Sequence, residues 1–430
     1  MDKIFYGGNI ITMEDCPNPE AVVISDGIIK NIGKYDELIL LSPKAQKIYL
    51  DGKTLMPSFI DAHSHFSAYA NSLLQAPLDE CYSFEEITNK LHDYINSNNT
   101  PKGQIIIAKG YDNNILEERK HPTKDFIDSE FGDYPVILQH KSGHMGVFSS
   151  IALDMVGITP ETASPQGGKI NFKDGFLEEE AFMEYMKKVP MPNAEKLLEA
   201  YKKAQEKYAS YGITTIQEGM MVEEMIPFYD YLIDNSLLFL DVVAYSDIKS
   251  AKHIFASYPA SINKYSNNLK IGGYKIFLDG SPQGRTAWML EPYKKGDENG
   301  EYFGYGTMKD QQVIEAIEIS AKNNMQILAH CNGDRACQQF IHCVTKSEEN
   351  LPIIKTLRPV AIHSQLMNET QLESCKDLGI VPSFFVAHVY YWGDTHIKNF
   401  GIKRAEKISM TRTALEKNIP FTLHQDAPVI

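Results

Sequence analysis

The sequence predicts an α/β fold: a (β/α)8 TIM-like barrel with a small N-terminal half of a β-sandwich and an inserted subdomain after the first barrel strand. Three observations predict it. Through the second half of the chain, short apolar strands alternate with amphipathic helical segments. Residues 1–56 alternate short β-like runs with turns instead. Histidine, lysine and aspartate recur where the predicted strands end, the end at which barrels of this kind keep their functional groups.

Taken in order, Ile10-Ile11, Ala21 to Ser25, Ile28 to Ile32 and Lys47 to Leu50 read as strands, with turns at Asp26-Gly27 and Asp51-Gly52. This half-sandwich runs without a flexible linker into Thr54 to His65, the first barrel strand. Residues 57–430 form the barrel domain, with an insertion at about 66–192 that holds a helical run from Phe84 to Ile95 and strand-like runs at Ile105 to Ala108 and Pro135 to Gln139. Loops inserted at a barrel mouth shape access to it. Helical periodicity from Ala194 to Tyr211 leads into a strand at Gly212 to Gln217. Further strands are expected at Leu238 to Ala244, Lys270 to Leu278, Gln326 to His330, Val360 to His363, Val381 to Val386 and Phe421 to Gln425, with helices such as Gln311 to Asn323 and Arg404 to Asn418 between them. Counting the strand at Leu55, the total is eight.

Composition narrows the function classes. A chain of 430 residues with 43% hydrophobic and 23% charged residues can bury a large domain and a smaller one. The net charge of -14 and the absence of a Lys/Arg-rich run argue against nucleic acid or an anionic membrane as partner. No signal peptide and no stretch of about 18 apolar residues is read. Six cysteines without a Cys-x-x-Cys pair fit reduced, structural thiols and a cytoplasmic location.

The chemistry sits at strand ends. His63 and His65 are two residues apart, so on a strand both imidazoles point to one face. The fourth strand carries Lys275, the fifth ends in His330, the sixth in His363, and Asp426 follows the eighth. Histidine nitrogen and carboxylate oxygen are the donors a divalent ion such as zinc takes. Each residue also has an ordinary reading, a hydrogen-bonded core histidine or a turn-starting Asp426, but three strands ending in unused histidines is a poorer account of the set. Lys275 lies in the apolar run Tyr274-Lys275-Ile276-Phe277, where a bare ammonium is costly. Either it pairs with Asp279 or Glu218, or its amine is carboxylated by carbon dioxide and becomes an anionic oxygen donor able to bridge two ions.

Leu55-Met56-Pro57 through Ile60-Asp61-Ala62-His63-Ser64-His65, Tyr274 through Ser281, His330-Cys331-Asn332-Gly333-Asp334 and His424-Gln425-Asp426-Ala427-Pro428-Val429 together resemble the amidohydrolase superfamily, and in particular the metal-dependent hydrolases of amidohydrolase family 3 (YtcJ-like). His121-Pro122-Thr123 and Ser142-Gly143-His144 match as well. The resemblance implies a binuclear centre, usually of two Zn(2+): His63 and His65 on one ion, His330 and His363 on the other, and carboxylated Lys275 bridging them. Asp426 would bind the first ion and act as catalytic proton shuttle, from a hydroxide generated between the ions to the leaving group. Substrate contacts are expected at His144, Arg285, Asp334 and His388. The fork of Arg285 suits a carboxylate, with a structural ion pair as its alternative. Tyr390-Tyr391-Trp392 would wall an apolar pocket or pack in the core. Relatives continue beyond the strand-eight aspartate into a last barrel helix and strands that complete the sandwich, so a chain ending at Ile430 is expected to expose apolar surface on the barrel flank and on the half-sandwich. Ser58 stands where relatives commonly have glycine, and His424 reads equally as facing the site or packing behind it.

The function expected is metal-dependent hydrolysis of a non-peptide carbon-nitrogen bond in a small molecule, such as an N-acyl amide, a carbamate or a cyclic amide. A mononuclear deaminase is the rival within the superfamily. Gly333, where that chemistry places a glutamate, and the idle Lys275 weigh against it. Esterase or lactonase activity is compatible with the same residues, and a non-catalytic regulatory or binding protein on this fold is the reading from a different class. A homo-oligomer is left open.

Overall fold

The computed structural model describes residues 2–15, 18–141, 143, 145–165, 168–190, 194–296 and 300–429. Eight parallel strands form one sheet: β1 (Phe59–Ile60), β2 (Ile213–Met221), β3 (Asp241–Asp247), β4 (Leu269–Phe277), β5 (Gln326–Cys331), β6 (Val360–His363), β7 (Val381–Phe384) and β8 (Thr422–Leu423), each bonded to the next. The sheet curls until its two ends meet just past β1 and β8. There Asp426 donates its backbone N–H to the His63 carbonyl at 3.1 Å, and His65 donates to the Ala427 carbonyl at 2.9 Å.

Period-two alternation sorts the side chains between the two faces, with a register shift at Gly272–Gly273 in β4 that puts Ile271 and Tyr274 on the same face. Ile216, Val242, Ile271, Tyr274, Ile276, Ile327, Ala329 and Ala361 pack outward in one core that includes residues of the helices Ala194–Ser210, Asp310–Lys322, Asp334–Glu348 and Glu369–Leu378. A separate cluster of Tyr245, Leu328 and Ile362, with Val243 and Val360, fills the inner face. Lys275 lies between Tyr274 and Ile276, and His330 between Ala329 and Cys331, so both face inward. At Gly273 the two strands β4 and β5 run so close that a Cβ would stand 1.8 Å from the Gln326 carbonyl oxygen.

Three boundaries differ from expectation. Thr54–Leu55 pairs with Asn9–Ile10 in a small two-stranded sheet, and the barrel strand begins only at Phe59, after Pro57, which has no N–H for a ladder. The third strand lies three residues later than the apolar run Leu238 to Ala244, because Leu238 and Leu240 are loop residues buried in the helix-facing core. The expected helix at Arg404 to Asn418 is two shorter ones, Ile402–Ala405 and Thr411–Glu416.

Near the N-terminus, Ile28–Gly33, Ala21–Ser25, Lys3–Tyr6 and Gln46–Tyr49 form a four-stranded sheet in that order. It buries Ile4, Ala21 and Val23 against Leu38 of a helix, Tyr35–Leu41. Ile28, Ile29 and Tyr49 are exposed, as are Phe59, Ile60 and Leu423 on the two end strands of the curled sheet, where an apolar cleft of about 680 Å³ also involves Tyr208 and Tyr391. The segment between β1 and β2, for which the sequence shows no steady rhythm, holds a six-stranded mixed sheet in the order Gly168–Asn171, Phe176–Glu179, Met145–Phe148, Val136–His140, Ile106–Tyr111 and Ala76–Pro77. The helices Phe84–Ser97 and Lys124–Phe131, whose Ser83 and Thr123 side chains cap the Glu86 and Phe126 amides, pack on one side of it, and Ser150–Met155 and Glu180–Met186 pack against Ile137, Phe148 and Leu177. No helix among the described residues is long and apolar enough to cross a membrane. The five described cysteines are free and buried; Cys16 lies outside the described residues.

Candidate metal centre

His63 and His65 come together, though not by strand alternation. Both lie beyond β1, His63 in a bend and His65 in a single bridge to Glu218, and the backbone bonds to Asp426 and Ala427 hold this stretch in place. Their rings stand 5.2 Å apart. Asp426 reaches between them, with Oδ1 at 3.5 Å from His63 Nε2 and 3.4 Å from His65 Nε2. Its Oδ2 is 3.9 Å from His363 Nε2, and the His330 and His363 rings are 4.6 Å apart. Lys275 Nζ lies 3.1 Å from His63 Nε2. All six expected ligands therefore meet at one end of the curled sheet. Among the described residues, His63, His65 and Asp426 are the one group of three with donor atoms all within 4.8 Å.

These donors fit a divalent ion. Asp426 Oδ1 is buried with no hydrogen-bond partner among the described residues. Its separations from the two histidine nitrogens exceed a hydrogen bond, yet match the roughly 3.3–3.4 Å between two ligands that each sit about 2.0–2.1 Å from a tetrahedral ion. Burial, then the Lys275 ammonium, holds His63 well below the ordinary imidazole range, and burial with the same charge pulls His65 down to about 3. Neutral imidazole is the form that binds a metal. Burial pushes the Asp426 carboxyl up and the Lys275 amine down, each opposed by the other's charge.

Each inward histidine is oriented from behind. His63 donates Nδ1–H to Gln217 Oε1 at 2.5 Å, and the amide cannot turn because Gln217 Nε2 donates to the Ala62 carbonyl at 2.8 Å. Asp279 takes His330 Nδ1–H at 3.2 Å, along with the backbone N–H groups of Asn332, Gly333 and Trp288. His363 Nδ1 meets His424 Nε2 at 3.1 Å, and His424 Nδ1 meets Ser383 Oγ at 2.7 Å. His63 Nε2 and His363 Nε2 are thereby turned toward Asp426, while His330 Nε2 also lies 3.3 Å from the Asn332 side-chain amide nitrogen. Both His424 nitrogens are engaged, so His424 stands behind His363 rather than in the site. Asp279 and Glu218 do not pair with Lys275, because Glu218 accepts from the Ser67 amide and the Tyr229 hydroxyl. Gln217 went unnoticed in the sequence; its signal was a polar residue closing the apolar run Ile213 to Ile216.

Gly219 completes this support. A Cβ there would stand 2.6 Å from His63 Cε1 and 2.8 Å from the Ser64 carbonyl oxygen. Gly219→Ala is expected to tilt the His63 ring and to weaken metal binding about 10–100-fold, the usual effect of losing such support. Zinc competition against a chromophoric chelator measures it, and unchanged affinity would show that the ring is not held from this side.

The sequence model of the amidohydrolase family matches residues 46–430. The chain belongs to the amidohydrolase family. Hydrolysis is accordingly its reaction class. This amidohydrolase is 27% identical over its whole length to a Bacillus subtilis protein, YtcJ, named as an amidohydrolase, of which it covers 81%. Over 39% of the chain it is 30% identical to the N-substituted formamide deformylase of Arthrobacter pascens, covering 32% of that protein. The crystal structure of an uncharacterized metal-dependent hydrolase from Pyrococcus furiosus superposes on all of this chain and 86% of its own with a TM-score of 0.80 at 23% identity, a likeness of fold.

The expected substrate contacts of this amidohydrolase are placed unevenly. His144 lies outside the described residues. Arg285 donates to the Lys295 and Gly296 carbonyls and lies over the Tyr293 and Tyr302 rings, and no carboxylate is paired with it among the described residues. Asp334 accepts the Leu290 amide at 2.7 Å. His388 is buried, its ring 4.6 Å from that of Phe385, which in turn lies 5.4 Å from His424. Tyr390 and Tyr391 are exposed, and Trp392 packs on His388 at 4.5 Å.

Proposed function

We propose that this chain is a metal-dependent hydrolase of non-peptide carbon-nitrogen bonds, with N-acyl amides, carbamates and cyclic amides as the substrate class. The curled sheet is read as a closed (β/α)8 barrel in residues 57–430, with residues 1–56 as a separate β unit and about 66–192 inserted. The observation that carries the reading is Asp426, whose unpartnered Oδ1 lies between His63 and His65 while Oδ2 turns toward His363. The formamide deformylase relative supports the choice of bond by the substrate in its name.

His63, His65 and Asp426 would hold one ion and His330 and His363 the second, with zinc the first candidate. Such ions supply Lewis acidity, which acidifies water and polarises a carbonyl. The residues of the chain do the rest. Burial favours the neutral Lys275 amine, the form that attacks carbon dioxide; an N–C bond forms, one proton leaves, and the resulting carbamate carries the negative charge a bridge needs. Asp426 accepts a proton from the attacking water and returns it to the leaving nitrogen. The Asp279, Gln217 and His424 contacts keep the imidazoles aimed while this happens.

Elemental analysis of the purified chain tests the reading, in parallel with Lys275→Ala. About two ions per chain are expected, falling to about one or fewer in the variant. About one ion per chain in the unmodified protein, unchanged by the substitution, would sink the binuclear reading, and no ion after reconstitution with zinc would sink the metal centre itself.

A further inference from the structure

His388 and His396 lie on one helix, His388–Phe400, eight residues apart. On a straight helix they would be separated by about 12 Å along the axis. Instead His388 Nδ1 is 3.2 Å from His396 Nε2 and the rings stack at 5.4 Å with 10° between their planes. The helix breaks at Trp392, whose φ of -129° and ψ of 15° fold the second half back. The break thus makes one specific contact between two buried imidazoles.

One proton lies in that contact, and its owner decides what His388 offers. Burial holds His388 down to about 3 and His396 to about 4, so both rings are neutral. If His388 Nδ1–H were the donor, His396 would carry its own proton on Nδ1, which is buried with no partner among the described residues. That arrangement strands a buried N–H and puts both rings in the intrinsically less favoured tautomer. If His396 Nε2–H is the donor, both rings keep their protons on Nε2 and the atom left alone is a bare nitrogen.

We propose that His396 is a positioning residue that, by donating Nε2–H to His388 Nδ1, fixes His388 as a neutral donor whose Nε2–H has no partner among the described residues, at the edge of the metal centre. The Phe385 ring lies near all three histidines, 4.6 Å from His388, 6.0 Å from His363 and 5.4 Å from His424. A fixed donor beside the ligands would hydrogen-bond a substrate oxygen, a carbonyl or a carboxylate, across a range of pH in which an ordinary histidine would titrate. The use of this donor rests on the hydrolase reading; the tautomer does not.

Two-bond proton–nitrogen correlation spectra of the 15N-histidine-labelled full chain, with His388 assigned by His388→Asn, report the tautomer directly. The expected result is a proton on His388 Nε2 and a bare Nδ1. His396→Gln keeps an N–H at the same reach and is expected to preserve this pattern; His396→Glu offers only an acceptor and is expected to move the proton to Nδ1. A proton on Nδ1 in the unmodified chain overturns the proposal, as does a His396→Glu protein with an intact melting transition that leaves it on Nε2. If His396→Glu does not fold, the spectrum of the unmodified chain decides. A chain that turns over no amide still shows its tautomer, so failure of the hydrolase reading and failure of this inference are distinguishable.

Discussion

Asp426→Asn is expected to lower kcat on an amide or carbamate substrate by roughly 10²–10⁴-fold, the range associated with loss of a general acid–base. The substitution preserves shape and removes two properties. An amide does not take a proton from water at neutral pH, and its NH2 group cannot serve as an oxygen donor where Oδ1 now sits, 3.4–3.5 Å from two histidine nitrogens. The backbone is expected to stay in place, because the Asp426 N–H bond to the His63 carbonyl is independent of the side chain. Steady-state kinetics together with metal content separate the two losses: a fall in kcat at full metal loading identifies the proton shuttle, and a fall in both identifies the ligand. Kinetics and loading that both match the unmodified chain would remove Asp426 from the mechanism.

Asp279→Asn is expected to destabilise the chain by about 3–5 kcal/mol, as breaking a buried charged network does. Asp279 accepts from the Asn332 amide at 2.9 Å and His330 Nδ1 at 3.2 Å on one oxygen, and from the Gly333 amide at 2.7 Å and the Trp288 amide at 3.0 Å on the other. An asparagine turns one of those oxygens into a donor that faces two donors. Either His330 loses its support or the loop at Trp288 detaches. Urea unfolding of the metal-free protein measures the change without a contribution from metal binding. A midpoint that does not move would mean that water replaces the lost acceptor at no cost.

Much of the site was legible because its residues break local rules. Lys275 interrupts an apolar strand, His330 and His363 close two others, and Asp426 follows the last, so period-two reading already marks them as unusual. His363 shows the limit of that reading. Val360 and Ile362 face the inner cluster, so strict alternation would send His363 outward to the helices. Its φ of 74°, with 45° at Ser364, turns the chain end and brings the imidazole back to within 3.9 Å of Asp426. His63 and His65 likewise converge through a bend and not a pleat.

The amino-acid order determined the repeating strands, the six candidate ligand positions and the family, since each depends on residue type and on spacing along the chain. Only the tertiary structure decided how those side chains are oriented. Gln217, Asp279 and His424 are separated by 154, 51 and 61 residues from the histidines they hold. A hydrogen bond across such a separation depends on the path of the whole sheet, which local spacing does not encode. The kink at Trp392 has the same character, because it becomes a device only when His396 is seen against His388.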